Sequence, residues 1–262
     1  MDGFHLYQGY GKGNLPHKNT LDFFFAVGVP SDKVKTILDV GAHNGGMTLG
    51  FHLCYPNSAV FAFEPNPASY EECISRLKAH PMSASALERK QIEVLNYGLF
   101  SVDRSAELFV TRYSDSSSLI PVSQRRRDIY GELVEVEHPV TVSLQTLDAF
   151  STERRLESID ILKIDVEGSF KEVLVGGSQI TLKMTNTVIL EIDWVINPLT
   201  SRNWIDAVSL LHDNGLHLTA IATDIGNKWR GFSIGDMFDI LSGKQPSPMS
   251  TWTADCVFRR LD

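Results

Sequence analysis

Residues 37–46 read Ile-Leu-Asp-Val-Gly-Ala-His-Asn-Gly-Gly. The apolar run ends in an acid and a glycine, and a new apolar-periodic segment begins at Met47. This order predicts a strand, a glycine turn and a helix start, where a nucleotide-like ligand can approach bare backbone. Residues 59–63 predict a second strand, and Glu64 follows it about 20 residues after Gly41, where a carboxylate can accept both hydroxyls of a ribose. Together the two features indicate a ligand that carries an adenosine.

The composition is that of a globular protein with excess negative charge. The 262 residues carry a formal net charge of −8, which argues against general attraction to nucleic acid or to anionic membranes. The three cysteines show neither zinc nor disulfide spacing, so a reducing compartment is expected. We find no signal peptide and no run as long as a membrane span. We therefore expect a cytoplasmic protein that has no nucleic-acid or membrane partner.

Apolar strand patterns alternate with helix patterns along most of the chain. This alternation predicts an α/β fold, a mostly parallel sheet with helices on both faces. Residues 1–30 are expected to form an irregular arm and a short helix, and residues 31–262 one domain. Two extended segments, at 106–111 and 134–144, flank a polar and turn-prone segment that we expect to be an irregular, mobile loop.

Acidic residues stand where several predicted strands end, namely Asp39, Glu64, Asp165 and Asp193. The carboxyl ends of parallel strands meet at one edge of a sheet, so these side chains are expected to converge. Asp165 and Glu167 should point the same way if the chain stays extended. Such a pair can act as a general base, hold a substrate hydroxyl or bind Mg²⁺, and repulsion can raise the pKa of one member. The competing interpretation is a pair of helix-capping acids.

Two ligand classes suit the glycine turn. A dinucleotide needs glycines at three set positions to seat its pyrophosphate, and the order Gly-Ala-His-Asn-Gly-Gly departs from that fingerprint. S-adenosylmethionine (SAM) has no phosphate and requires only a closely approaching backbone and a partner for its amino acid end. An NAD(P)-dependent oxidoreductase stays open as the alternative. Glu191 and Asp193 could complete a metal site with Asp165, but no ligand spacing demands a metal, and we predict none.

The motifs resemble those of the FkbM-type SAM-dependent methyltransferases. The similarity rests on residues 39–45, 63–67, 146–148, 161–168 and 190–193, supported by residues 255–258. It spans roughly residues 36–260. The resemblance implies a Rossmann-like class I methyltransferase fold, whose seven-stranded sheet has one antiparallel strand near its end. It also implies O-methylation, with SAM as donor and a hydroxyl of a sugar or small natural product as acceptor.

The chain departs from the family pattern after its most specific motif. Ser169 and Phe170 stand where the family usually has a small residue and a second glutamate. Gly46 and Met47 also depart from the usual residues of the first loop. The departure at Phe170 motivates an alternative, a non-catalytic module that binds SAM but has lost its reaction.

The resemblance also suggests roles for individual residues. Glu64 is expected to hold the ribose, and Asn96 or Tyr97 to lie near the adenine. The other predicted cofactor contacts are Asp39, Gly41, Ala42, Asn44, Gly45, Asn66 and Asp165. The predicted catalytic residues are Asp165 and Glu167. His43 is a second candidate base, although a histidine in a turn often serves only as a hydrogen-bonding residue of the loop.

Several other features are given ordinary structural roles. The arginines at 125–127 could meet an anionic acceptor, but we interpret them as part of a solvated loop. Trp194 is the best candidate for stacking on a sugar, because it follows Asp193. Residues 197–199 are interpreted as a simple turn. The acceptor is expected to be a small molecule or a glycan.

Overall fold

The computed structural model describes residues 33–193, 201–224, 229–232 and 253–261. The predicted arm and helix in residues 1–30 lie outside this part of the chain. Trp194 and the predicted turn at 197–199 lie outside it too. Within the described residues, no helix combines the length and apolar character needed to cross a bilayer.

The described chain alternates strands and helices over most of its length. The strands are β1 (Thr36–Val40), β2 (Ala59–Phe63), β3 (Ile92–Leu95), β4 (Gly98–Leu99), β5 (Arg104–Thr111), β6 (Val136–Gln145), β7 (Ile159–Ile164), β8 (Thr185–Asp193), β9 (Leu216–Asp224), β10 (Trp229–Phe232) and β11 (Thr253–Arg260). The helices are α1 (Gly46–Cys54), α2 (Pro67–Ala79), α3 (Pro81–Glu88), α4 (Gln124–Tyr130), α5 (Leu147–Glu153), α6 (Phe170–Gly176) and α7 (Arg202–Asp213).

The main sheet has the strand order β10-β9-β11-β8-β7-β1-β2-β3. The neighbours from β3 to β8 pair in parallel, and β11 runs antiparallel to both β8 and β9. Seven strands therefore form the predicted mostly parallel sheet with its single reversed strand. The eighth, β10, pairs antiparallel with β9 at the edge.

Alternate strand residues pack into two cores on opposite faces of the sheet. Ile37 and Ile161 belong to the core that α1, α2 and α3 cover, and Leu38 and Leu162 belong to the core under α5, α6 and α7. Local sequence sets the helix starts. For example, Asn66 accepts a hydrogen bond from the amide of Ala68 at 3.1 Å, with proline at the first helical position of α2.

A second, three-stranded sheet has the order β4-β6-β5 and stands between β3 and β7 in the chain. The two predicted extended segments form its antiparallel pair. The segment between them, residues 112–135, is called the cap segment below. The expectation that it is irregular is wrong in part, since it contains a 3-10 turn at Ser114–Ser116 and helix α4. Ser123 begins that helix by accepting a hydrogen bond from the amide of Arg126 at 3.2 Å.

Candidate active site

A cavity of about 530 Å³ opens where β1, β2 and β7 end. One wall is the glycine turn after β1, and the opposite wall includes residues of the cap segment. The ionisable residues on the cavity wall are His43, Glu64, Tyr113, Asp115, Lys163, Asp165, Glu167 and Glu191. The cavity thus lies at the sheet edge where α/β proteins bind ligands, and most of its ionisable residues are acids.

The glycine turn is held tightly against its neighbours. The amides of Gly41 and Ala42 both donate to the carbonyl oxygen of Phe63 at 3.0 Å. Gly41 has a φ of +84°, and a Cβ there would lie 1.7 Å from the carbonyl oxygen of Asp165. Gly45 has a φ of +75°, and a Cβ there would lie 2.6 Å from the sulfur of Cys73. Both glycines are therefore required by backbone conformation and by close packing.

Glu64 lies on the cavity wall with its carboxylate fixed by the turn. Its two oxygens accept hydrogen bonds from the amides of His43, at 2.7 Å, and Asn66, at 2.8 Å. Burial raises the pKa of Glu64, and these two hydrogen bonds oppose the rise. An ionised carboxylate has about four lone-pair sites, so this side chain can still accept two hydroxyl donors.

Some predicted cofactor contacts do not line the cavity, and these are Asp39, Gly45, Asn66, Asn96 and Tyr97. Asp39 is fully buried beneath the turn and accepts a hydrogen bond from Thr48 at 2.6 Å. The side chain of Asn96 donates to the backbone oxygen of Glu64 at 2.9 Å. These polar residues brace the loops that form the wall, whereas Gly41, Ala42 and Asn44 lie on the wall itself.

The acids after β7 are paired with buried cations. The strand ends at Ile164, and Glu167 has a φ of +48°, so the chain does not stay extended here, although Asp165 and Glu167 both line the cavity. Lys163 contacts Asp165 at 2.7 Å. Burial alone would raise the pKa of Asp165, but Lys163 lowers it below its usual value.

The pKa of Asp165 is not raised as expected, and the carboxyl group with a raised pKa is Glu191, on β8, outside the predicted pair. Burial and the neighbouring charge of Asp165 raise the pKa of Glu191 well above its usual range. One oxygen from each of Asp165, Glu167 and Glu191 lies within 4.8 Å of the others. These are oxygen ligands of the type that a divalent cation takes. However, Lys163 and Arg126 already neutralise two of the three carboxylates.

The cap segment is anchored at both sides of the cavity. Ser118 donates to the carbonyl oxygen of Glu167 at 2.8 Å, and Arg126 forms an ion pair with the carboxylate of the same residue. Arg126 is only 4% exposed, so the interpretation of residues 125–127 as a solvated loop is wrong for this arginine. The second anchor is on the glycine turn, where His43 contacts both Ser114 and Asp115.

His43 occupies a polar position between the glycine turn and the cap segment. Its Nδ1 is ion-paired with Asp115, and its Nε2 lies 2.7 Å from the hydroxyl oxygen of Ser114. Burial opposes the charged imidazole, but the hydrogen bond and charge of Asp115 raise the pKa of His43 above its usual value. The Ser-rich sequence of the cap segment gives no sign of this contact, because Ser114 lies 71 residues after His43.

Ser169 and Phe170, the two residues that depart from the family pattern, lie in different surroundings. Phe170 begins α6 and packs in the core, with 2% of its surface exposed. Ser169 lines the cavity, and its buried hydroxyl has no hydrogen-bond partner among the described residues. An unpaired buried hydroxyl is available to a ligand in this cavity.

Comparison with known proteins identifies relatives. The model of the Methyltransferase FkbM domain matches residues 39–218. The 2-O-methyltransferase NoeI of Sinorhizobium fredii is 29% identical over 155 residues, which are 59% of this chain and 62% of that protein, so the chain spans less than two thirds of this relative. Methyltransferase sdnD of Sordaria araneosa is 30% identical over 202 residues, covering 70% of this chain and 74% of that protein.

A solved structure shows the same fold. The crystal structure of Methyltransferase FkbM from Methylobacillus flagellatus has a TM-score of 0.50 at 11% identity, covering 86% of this chain and 43% of that one. The family match extends over most of the described sheet and includes the glycine turn, Glu64 and the acids after β7. The chain therefore belongs to the FkbM family of methyltransferases and has the class I methyltransferase fold.

Proposed function

We propose that this protein transfers a methyl group from SAM to a hydroxyl of a small molecule or glycan. The observation that carries the proposal is the carboxylate of Glu64, which the amides of His43 and Asn66 hold on the cavity wall. Membership of the FkbM family supports methyl transfer, and the 2-O-methyltransferase relative supports a hydroxyl acceptor.

The glycine turn supplies the donor side of the site. Gly41, Ala42 and Asn44 line the cavity, and Glu64 would accept the ribose hydroxyls. The carboxylates on the cavity wall suit a donor that carries a positive sulfonium. SAM would supply an electrophilic methyl carbon attached to sulfur.

The cap segment and the turn after β7 supply the acceptor side. A cavity of about 530 Å³ falls in the usual range for small-molecule sites, about 300–1,000 Å³. The acceptor oxygen attacks the methyl carbon while the carbon–sulfur bond breaks, and its proton passes to a base. Holding the reactants in line contributes on the order of 7–11 kcal/mol in favourable cases. The candidate bases are Asp165, Glu167 and His43, all on the cavity wall.

The donor assignment is tested by calorimetry with SAM and, separately, with NAD. We expect SAM to bind, and Glu64→Gln to weaken its binding by about 10- to 150-fold, as expected from losing hydrogen bonds to a charged group worth about 1.5–3 kcal/mol. Glu71→Gln on the exposed side of α2 is the matched control. Tight NAD binding without SAM binding would instead favour an oxidoreductase.

The reaction is tested by incubating the protein with SAM and a panel of methyl glycosides and simple alcohols. Mass spectrometry should detect one added methyl group on an acceptor oxygen. A protein that binds SAM but methylates nothing across the panel would favour the non-catalytic module, which the departure at Ser169 and Phe170 motivates.

We further propose that residues 31–262 form the methyltransferase domain, that residues 1–30 form an arm and a short helix, and that the protein is cytoplasmic. The free thiols of Cys54, Cys73 and Cys256 support a reducing compartment. Cell fractionation tests the location.

A further inference from the structure

We propose that His43 is the general base of the methyl transfer proposed above and that Asp115, on the cap segment, is the residue that positions it. This inference rests on the proposed function and selects among its candidate bases. It reverses the order expected from the sequence, in which Asp165 and Glu167 come first.

The charges around the candidates favour His43. Lys163 lies 2.7 Å from Asp165, and Arg126 is ion-paired with Glu167. A neighbouring cation stabilises a carboxylate in its charged form and makes it a poorer proton acceptor. His43 has the opposite environment, because its partner is the carboxylate of Asp115, which stabilises the protonated imidazole.

The hydrogen bonds of His43 assign its tautomer. A carboxylate only accepts, so the Nδ1 that faces Asp115 carries the proton. Nε2 then has a free lone pair and accepts from the hydroxyl of Ser114 at 2.7 Å. Ser114 and His43 both line the cavity, so the geometry shows that a hydroxyl can reach this nitrogen there. An acceptor hydroxyl would take the place of Ser114.

Three acidic side chains act on His43 from the surrounding elements. Asp115 faces it from the cap segment, Glu64 from the end of β2 and Glu72 from α2, and each raises the pKa of His43 against the effect of burial. The charge of His43 in turn lowers the pKa of Asp165, after β7. The imidazolium that forms during the reaction is therefore stabilised from four elements.

The proposed step balances in atoms and charge. The acceptor oxygen forms a bond to the methyl carbon, and the electron pair of the carbon–sulfur bond stays on sulfur, which becomes a neutral thioether. The acceptor proton moves to Nε2 of His43, and the positive charge passes from the sulfonium to the imidazole. Because Asp115 belongs to the cap segment, the base is complete only when that segment contacts the glycine turn.

The test compares pH–rate profiles of the wild type with those of His43→Asn and Asp115→Asn. Asparagine suits the left-handed backbone of His43, whose φ is +46°, and cannot act as a base. We expect His43→Asn to lower kcat by about 10²–10⁴-fold, the usual contribution of a general base. Asp115→Asn should lower kcat by about ten-fold or more. It should also move the acid side of the pH–rate profile to lower pH, because the pKa of His43 falls when the imidazolium loses its carboxylate partner. Glu132→Gln, an exposed change in the same segment, is the control.

The outcomes separate this inference from the proposed function. If all variants bind SAM and His43→Asn keeps the wild-type kcat, or Asp115→Asn leaves the acid limb unmoved, the His43–Asp115 base is wrong and methyl transfer stands. If the wild type neither binds SAM nor methylates an acceptor, the proposed function fails. The pairing itself is measured without any acceptor, by nitrogen NMR of His43. Asp115→Asn should lower its pKa, and an unchanged pKa would overturn the pairing.

Discussion

At the scale of single residues, Gly41 stands where two chain segments leave no room for a side chain. Its amide donates a hydrogen bond to the carbonyl oxygen of Phe63, the last residue of β2, and its Cα faces the carbonyl oxygen of Asp165. The residue thus joins the glycine turn to the acids after β7. A change at this position should disturb both.

Gly41→Ala is expected to destabilise the protein more than Gly215→Ala. Both glycines have positive φ, +84° and +77°. Alanine in this left-handed backbone conformation should destabilise either variant by about 1–2 kcal/mol. At Gly215 the new Cβ meets only side-chain atoms of Arg260, the nearest at 2.9 Å, whereas at Gly41 it meets a backbone oxygen at 1.7 Å. Urea unfolding measures the difference, and equal losses for the two variants would contradict the clash.

Residue-level prediction from the sequence succeeds where the determinants are local. The glycine turn and the position of Glu64 follow from short motifs, because strand, turn and acid are close in the chain. The partners of His43 and Glu167 could not be predicted. Ser114 is 71 residues from His43, and Arg126 is 41 residues before Glu167, so only the folded chain brings them together.

At the scale of elements, helix α4 fastens the cap segment through one of two adjacent arginines. Arg126 is buried and bonds Glu167, while Arg127 is exposed. The two are alike in sequence, and which one faces inward depends on how a seven-residue helix packs against the turn after β7. The sequence therefore predicts neither the helix nor its buried face.

Arg126→Leu is expected to lower the free energy of unfolding by about 3 kcal/mol, because it leaves the partly buried carboxylate of Glu167 without its cation. Arg127→Leu makes the same chemical change on the solvent side and should stay within about 0.5 kcal/mol of the wild type. Urea unfolding gives both values, and hydrogen exchange should locate the loss in α4. Similar effects of the two substitutions would argue against a fastening role for Arg126.

At the scale of the whole molecule, Lys163 is a buried cation surrounded by acids from several strands. Asp165, Asp39, Asp255 and Glu191 all raise its pKa, against the effect of burial. Asp255 comes from β11, the last strand of the chain, and burial raises the pKa of Asp255 to about 7. The charge balance at the centre of the sheet therefore depends on strands far apart in sequence.

This arrangement predicts how stability changes with pH. An aspartate has a pKa of about 3.9 in the unfolded chain, so between about pH 4 and 7 the folded state binds the extra proton. The contribution of Asp255 to the free energy of unfolding should then fall as pH rises through this window. Asp255→Asn should remove this contribution to the pH dependence. The contribution amounts to a change of up to a few kcal/mol in the free energy of unfolding across the window, at about 1.4 kcal/mol per pKa unit.

Urea unfolding at pH 5 and pH 8 measures the slope for the wild type and for Asp255→Asn. Asp128→Asn, on the exposed surface of α4, is the control and should keep the wild-type slope. Parallel pH dependence in the wild type and Asp255→Asn would show that Asp255 is not the titrating group.

The main sheet could be predicted from the sequence, because buried parallel strands are short apolar runs that alternate with helices. The separate β4-β6-β5 sheet could not, although the alternating pattern predicts two of its strands. Pattern alone does not say with which partner an extended segment pairs. The additional edge strand β10 carries the same ambiguity.

The position of the cap segment also has a consequence for divergence among relatives. Both of its ends join strands of the small β4-β6-β5 sheet, and none of its residues belongs to the main sheet. Insertions or recombination between β5 and β6 can therefore remodel one side of the cavity while the register of the main sheet stays as it is. Such remodelling is constrained at Ser114 and Asp115, because these two residues of the segment contact His43 on the glycine turn.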